Sequence, residues 1–318
     1  MRILLLKTSS LGDVIHNLPV VSDLLSIFPD AQIDWCVEES FADIPRLHPG
    51  VHTIFPVAIR RWRKTLSQRR TWQEIGAFRQ NLGRVHYDIV LDTQGLLKSA
   101  LIAWQAQGVR CGYAAEAARE PLAARFYDLT FVIPRNIHAV QRNRWLAAAA
   151  LDYPVDLPLA YGIAAPDLAT GAVPNGRYAV LFSATSRDDK LWPEANWTAL
   201  ARALTQRGLI PVLPGGSLVE RQRAARIAAD VPGAVLAPPL NLPEMASLIG
   251  RAALVVGVDT GLAHLAAALC VPVIALYIST DPTLTGVYGP GFVRNLGAVG
   301  RSPDVDEVLR VSDQALRS

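Results

Sequence analysis

The stretch Leu254-Val255-Val256-Gly257-Val258-Asp259-Thr260-Gly261-Leu262-Ala263-His264-Leu265-Ala266-Ala267-Ala268-Leu269 leaves the chain little freedom. Its first part is short, apolar and rich in valine, the signature of a buried parallel strand. Its last part is rich in alanine and leucine and reads as a helix. Only Asp259-Thr260-Gly261 lies between them. A strand that passes so directly into a helix aims the first free N–H groups of that helix, and its dipole, at whatever lies above the sheet, which makes an anion site. Gly261 allows close approach to the backbone. Thr260 adds a hydroxyl and Asp259 a carboxylate, while His264, one turn on, faces the same ligand. The same residues also read as a plain turn, with Asp259 or Thr260 as a helix cap and His264 as a satisfied interior side chain. This stretch alone leaves both readings open.

The strand, polar turn and helix recur along the chain. Residues 2–6 read as a strand, 7–13 as a polar loop and 14–28 as a helix. Strands follow at 32–37, 53–57 and 88–92, and a helix at 136–150 carries His138, Arg142 and Arg144. Residues 153–177 hold Pro154, Pro158, Pro166 and Pro174 with no clear period, and read as a connection between domains. Alternation resumes with strands at 178–182, 209–213, 234–236, 254–258 and 273–277, interleaved with helices and closed by one near 304–316. The expectation is an α/β protein of two doubly wound, Rossmann-like parallel sheets facing a cleft. One domain covers 1–160 and the other 161–318, with the final helix as a candidate to pack back on the first. A chain of 318 residues, 51% hydrophobic and 19% charged, has core enough for both, which excludes global disorder.

Other classes are excluded in turn. Cys36, Cys111 and Cys270 are odd in number and form no CxxC, against a disulfide scaffold or zinc site and in keeping with a reducing cytosol. The apolar run before Lys7 is too short for a signal peptide. Residues 262–278 are nearly all apolar, but His264 and Val271-Pro272 make them helix, turn and strand rather than a membrane span. Neither Asp304-Val305-Asp306, which reads as a helix start, nor Asp188-Asp189, flanked by Arg187 and Lys190, makes a persuasive metal site. No GKS/T loop, GxSxG or HExxH occurs.

Three groups of residues carry chemistry. Thr185, Ser186 and Lys190 lie on a loop after a strand, on the same sheet edge as Asp259-Thr260-Gly261, and a lysine beside helix N–H groups suits a diphosphate. Glu220 opens a helix after a glycine turn, where it either accepts from ribose hydroxyls or caps the helix. Asp13, after the first strand, either caps a helix or acts on substrate. The run Ala58-Ile59-Arg60-Arg61-Trp62-Arg63-Lys64, followed by Arg69-Arg70 and Trp72, is the one concentrated basic patch, either a solvated helix face or, with its interleaved tryptophans, a surface for an anionic partner such as RNA, an anionic lipid headgroup or an acidic sugar.

Lys7-Thr8-Ser9-Ser10-Leu11-Gly12-Asp13-Val14-Ile15-His16, Ala58 to Lys64, Arg119-Glu120-Pro121-Leu122-Ala123, Thr185 to Lys190 with Trp192-Pro193, and Asp259-Thr260-Gly261-Leu262-Ala263-His264 together resemble the lipopolysaccharide heptosyltransferases, glycosyltransferase family 9. The likeness spans nearly the whole chain in order, and the Ala58–Lys64 run resembles the first-acting branch of the family rather than the second. It implies a GT-B fold and an inverting transfer of L-glycero-D-manno-heptose from ADP-heptose to a Kdo of Kdo-lipid A, with no cofactor and no metal. By position, Asp13 becomes the catalytic base. Thr185, Ser186, Lys190, Thr260 and Gly261 hold the diphosphate, Asp259 the heptose, Glu220 the ribose and Leu240 the adenine, with His264 near the donor. Arg60, Arg61, Arg63, Lys64 and Arg119 meet the anionic acceptor. Ser186 and Leu240 depart from the family's usual threonine and methionine. The implied setting is the cytoplasmic face of the inner membrane, with peripheral contact and no nucleic acid. The rival readings are the second heptosyltransferase, or another GT-B nucleotide-sugar transferase, and a non-catalytic anion or RNA binder.

Overall fold

The computed structural model describes every residue except Ala169, Thr170, Ala172, Ser186 and Ser318. It divides into two units, Met1–Gly162 and Ile163–Ser318.

In the first unit β1 (Arg2–Leu6) runs into α1 (Leu11–Ile15) and α2 (Leu18–Ile27), where the sequence suggested one helix. The break has a chemical cause: Pro19, in the first turn of α2, has no N–H to give the Ile15 carbonyl. There follow β2 (Gln32–Glu38), α3 (Asp43–Arg46), β3 (Val51–Val57), α4 (Ile59–Trp62), α5 (Arg69–Gly83), β4 (His86–Asp92), α6 (Leu97–Ala103), β5 (Gln107–Tyr113), β6 (Leu129–Phe131) and α7 (Ala139–Leu151). All strands are parallel, in the order β3-β2-β1-β4-β5-β6.

The second unit repeats the plan. Its elements are β7 (Tyr178–Phe182), α8 (Glu194–Gln206), β8 (Ile210–Leu213), α9 (Leu218–Ala229), β9 (Val235–Leu236), α10 (Leu242–Gly250), β10 (Leu254–Val258), α11 (Gly261–Ala268), β11 (Val273–Tyr277), β12 (Val293–Gly297) and α12 (Val305–Ala315). The parallel order β12-β11-β10-β7-β8-β9 is the same pattern read from the other edge. The sequence therefore anticipated the doubly wound class. The strands it did not show, β5, β6 and β12, are not continuous apolar runs: β5 alternates exposed and part-buried residues in its first half, and β12 carries Arg294 and Asn295 at an edge.

Burial follows from the sheets. β1, β7, β10 and β11 are covered on both faces, which is why they read as apolar runs. In the second unit Trp192 and Trp197 are fully buried and meet edge to face at 5.2 Å. The Trp192 indole donates to the Pro303 carbonyl at 2.9 Å, just ahead of α12, and α12 packs on α8 and β11. No helix among the described residues is long and apolar enough to cross a membrane. Residues 262–278 are α11, a turn and β11, as the sequence suggested.

One buried ion pair ties the first unit together. Arg144 on α7 donates to both carboxylate oxygens of Asp23 on α2, at 2.7 and 3.0 Å, and to the Leu157 carbonyl at 2.6 Å. The two side chains are 4% and 3% exposed, so neither charge has water to fall back on. Arg144→Met strands Asp23 and should lower the unfolding free energy of this unit by about 3–5 kcal/mol, read from denaturant melts. A change under about 1 kcal/mol would show that the pair is incidental.

Candidate active site

In an open parallel sheet, ligands bind past the carboxyl ends of the strands, where the strand order reverses direction. In the second unit that point lies between β7 and β10. The loops after both strands meet there. Lys190 Nζ lies 2.5 Å from Asp259 Oδ2, and the Thr185 hydroxyl donates to the Asp259 carbonyl at 3.0 Å. Thr280, after β11, donates its hydroxyl to the same Asp259 oxygen at 2.8 Å. Both side chains of the Lys190–Asp259 pair are less than one-fifth exposed. Thr260 is the N-cap of α11 in extended conformation, but its side chain makes no capping bond. Among the described residues, the Thr260 hydroxyl and the N–H groups of Gly261 and Leu262 at the start of α11 have no hydrogen-bond partner. His264 is buried on α11.

The neighbouring loops lie in strand order along the same edge. Glu220, after β8, accepts from the Gly216 and Ser217 N–H groups at 2.8 and 2.9 Å through one oxygen, while Ser217 Oγ accepts from the Glu220 N–H at 3.2 Å. This is a capping box, so Glu220 anchors α9. Gly215 is required there, because a Cβ would sit 2.7 Å from the Arg221 nitrogen. Leu240, half-buried, follows β9 and precedes α10. Ser186 lies outside the described residues.

The first unit reverses between β1 and β4. Asp13 caps α1 and does more. Its Oδ2 accepts from the Ser10 N–H and hydroxyl at 2.9 and 3.1 Å, and its Oδ1 from Arg119 Nη2 at 2.8 Å. Burial alone would raise its pKa; the charges of Lys7 and Arg119, with the Ser10 bond, outweigh that and hold the carboxyl well below its usual range. Lys7 is buried and donates to the Thr93 carbonyl at 2.5 Å and to Asn143 Oδ1 at 3.1 Å. Burial pushes its ammonium down to about 7, against the pull of Asp13.

Loop β4–α6 braces this corner. Asp92 accepts from the Gln94 N–H at 2.8 Å, and Gly95 takes the left-handed turn at φ +66°. The Gln94 amide then bonds the Thr8 and Ser9 backbone at 2.8, 3.2 and 2.6 Å. Lys98 donates to Ser9 Oγ at 2.7 Å, and Arg142 stacks over Tyr113 at 4.7 Å. Lys7, Lys98 and Thr280 were not singled out from sequence. Lys7 and Lys98 follow the two strands that flank the first unit's reversal point, and Thr280 follows β11, next to β10; that placement is the signal that finds them.

The basic patch divides. Arg61 clamps Glu39 at 3.0 Å and Glu74 at 2.6 Å, and the Trp62 indole also donates to Glu74 at 2.9 Å. Arg60 lies over the Phe41 ring at 4.9 Å. Arg63 and Lys64 are exposed and form no ion pair among the described residues.

Comparison with known proteins bears on this arrangement. Residues 75–312 match the model of glycosyltransferase family 9 (heptosyltransferase). Lipopolysaccharide heptosyltransferase 1 of Pseudomonas aeruginosa is 48% identical over 291 residues, covering 91% of this chain and 82% of that protein. The structure of E. coli heptosyltransferase WaaC with ADP is 40% identical with a TM-score of 0.92, covering 99% of this chain and all of that one. The same enzyme with ADP-2-deoxy-2-fluoro heptose gives 0.90, with 99% of each chain covered.

The buried Lys7 predicts a pH signature. Its folded pKa of about 7 lies below the ordinary 10.5, so the unfolded chain binds the extra proton between those values and stability rises with pH across that window. Relative to Lys7→Met, wild type should gain melting temperature from pH 7 towards 10. A difference that does not change with pH would contradict a depressed lysine.

Proposed function

The chain belongs to glycosyltransferase family 9, and on that premise we propose its full reaction: heptose moves from ADP-heptose to a Kdo of Kdo-lipid A, in lipopolysaccharide inner-core synthesis, with inversion at the anomeric carbon. The observation that carries the donor side is the meeting of Lys190, Asp259, Thr185 and the start of α11 at one reversal point. A diphosphate fits that group by charge. Lys190 and the α11 N–H groups stabilise the negative charge that grows on ADP as the sugar–phosphate bond breaks. Asp259, held by Thr280, takes the heptose hydroxyls, Glu220 the ribose and Leu240 the adenine. The reading calls on no metal.

The first unit supplies acceptor chemistry. The acceptor hydroxyl oxygen attacks the anomeric carbon, and its proton passes to Asp13. Both Asp13 oxygens are engaged, one by Arg119 and the other by Ser10. An anionic acceptor draws Arg119 to itself, and this both binds the sugar and frees Oδ1 to take the proton. Arg60, Arg63 and Lys64 add charge for the same acceptor, while Arg61, locked on two carboxylates, keeps the patch in shape. Work on a lipid-borne acceptor implies a cytoplasmic enzyme peripheral to the inner membrane.

Asp13→Asn keeps the size and the cap but cannot take a proton. Its kcat for heptose transfer should fall by about 10²–10⁴ while ADP binding stays near wild type, and the melting temperature falls because Lys7 and Arg119 lose their carboxylate. Near-normal turnover would reduce Asp13 to a helix cap. Lys190→Ala should weaken ADP binding by about tenfold to a hundredfold, measured calorimetrically, with no recovery on adding Mg²⁺. Loss of wild-type turnover in EDTA would overturn the metal-free reading.

A further inference from the structure

Residues 58–87 carry eight arginines and lysines against a single acid, Glu74, a net charge of +7. The whole chain is only +3, so everything outside this segment sums to −4. Glu74 is already committed to Arg61 and Arg70. Arg63, Lys64, Arg69 and Arg79 are exposed with no ion pair among the described residues. Only part of this excess can serve the acceptor, because α5 extends the charge three to four turns beyond α4.

The same face exposes large apolar side chains. Trp72 and Trp104 are each 59% exposed, whereas Trp35, Trp192 and Trp197 are fully buried. The Trp72 indole donates to the Leu66 carbonyl at 2.8 Å, which holds it against the exposed Leu66. Gly76, one turn along α5, faces open space, and Arg79 follows two turns from Trp72. Arg79 and Trp104 line one shallow groove of about 400 Å³, so the outer face of α5 continues onto the end of α6, beside the exposed Leu101.

We propose that this face, Leu66, Trp72 and Trp104 with Arg69 and Arg79, docks the protein on an anionic lipid bilayer. Indole rings favour the boundary between headgroups and acyl chains, and cations beside them gain from acidic headgroups. The exposed leucines decide against a nucleic acid, since an aliphatic side chain gains from entering the acyl layer and nothing from a phosphate backbone. Arg61 and Trp62, both bonded to Glu74 on α5, fix the docking face to α4. A bilayer bound to α5 therefore brings its headgroups to Arg63 and Lys64. This inference deepens the lipid-acceptor reading and rests on it for its purpose, though not for its test.

Flotation with phosphatidylcholine vesicles, with and without phosphatidylglycerol, is the test. Wild type should float only with the anionic vesicles and release in high salt. Trp72→Ser with Trp104→Ser should lower partitioning by about tenfold or more. Arg69→Ser with Arg79→Ser should lower it by about fivefold per cation. Both variants should melt as wild type does and keep its turnover on a de-acylated, soluble acceptor, while losing turnover on acceptor embedded in vesicles. Wild type that does not float, or variants that float as well as wild type, would overturn the proposal, as would binding of an RNA oligonucleotide in preference to vesicles through the same residues. If no acceptor is glycosylated at all, the acceptor reading fails, and flotation still decides the surface.

Discussion

Crossovers between parallel strands fix where chemistry can sit in this protein. Because every strand in a sheet points the same way, all the loops that leave the strand ends share one edge. Because each sheet starts in its middle and winds outward in both directions, two of those loops diverge and leave a gap above the sheet. The chain makes that arrangement twice. It fills one gap with Lys190, Asp259 and the start of α11, and the other with Asp13, Lys7 and Arg119. The buried strands β1, β7 and β10 beneath, apolar on both faces, hold those loops without contributing a reactive group.

Electrostatics then separates the two gaps. In the second unit one lysine pairs with one carboxylate, a balance that the proposed diphosphate would shift with charge of its own. In the first unit one carboxylate faces several cations, of which Lys7 is buried at a cost in stability. Such an excess suits the anionic acceptor proposed for it. Arg144 and Asp23, by contrast, are equally buried yet satisfy each other fully, and lie under the sheet-covering helices rather than at the reversal point. Burial of charge alone does not mark the first unit's site; burial of unbalanced charge at a strand end does.

Much of this was legible in the sequence because buried parallel strands are apolar runs and glycine turns punctuate them. β1, β7, β10 and β11 came out with their bounds, and Asp259-Thr260-Gly261 with its role as strand-to-helix turn. Edge strands were not legible: β12 carries polar residues that pair through backbone alone, and three-residue β6 is too short to show a period. Thr280 and Lys98 were missed since neither residue type signals anything until its strand has a place in the sheet. Arg61 is the reverse case. Its charge was plain, but only its contacts with Glu39 and Glu74, far apart in sequence, separate its bracing role from the free charges of Arg63 and Lys64.

The central claim is that these two sets of groups serve one transfer reaction. Its most direct test is to incubate the purified chain with ADP-heptose and Kdo-lipid A and follow both products by mass spectrometry. The account predicts ADP and singly heptosylated Kdo-lipid A forming one for one, with neither product when the acceptor is left out. ADP released without any gain of heptose on the acceptor would contradict it, and so would transfer to a lipid A core that already carries the first heptose but not to Kdo-lipid A.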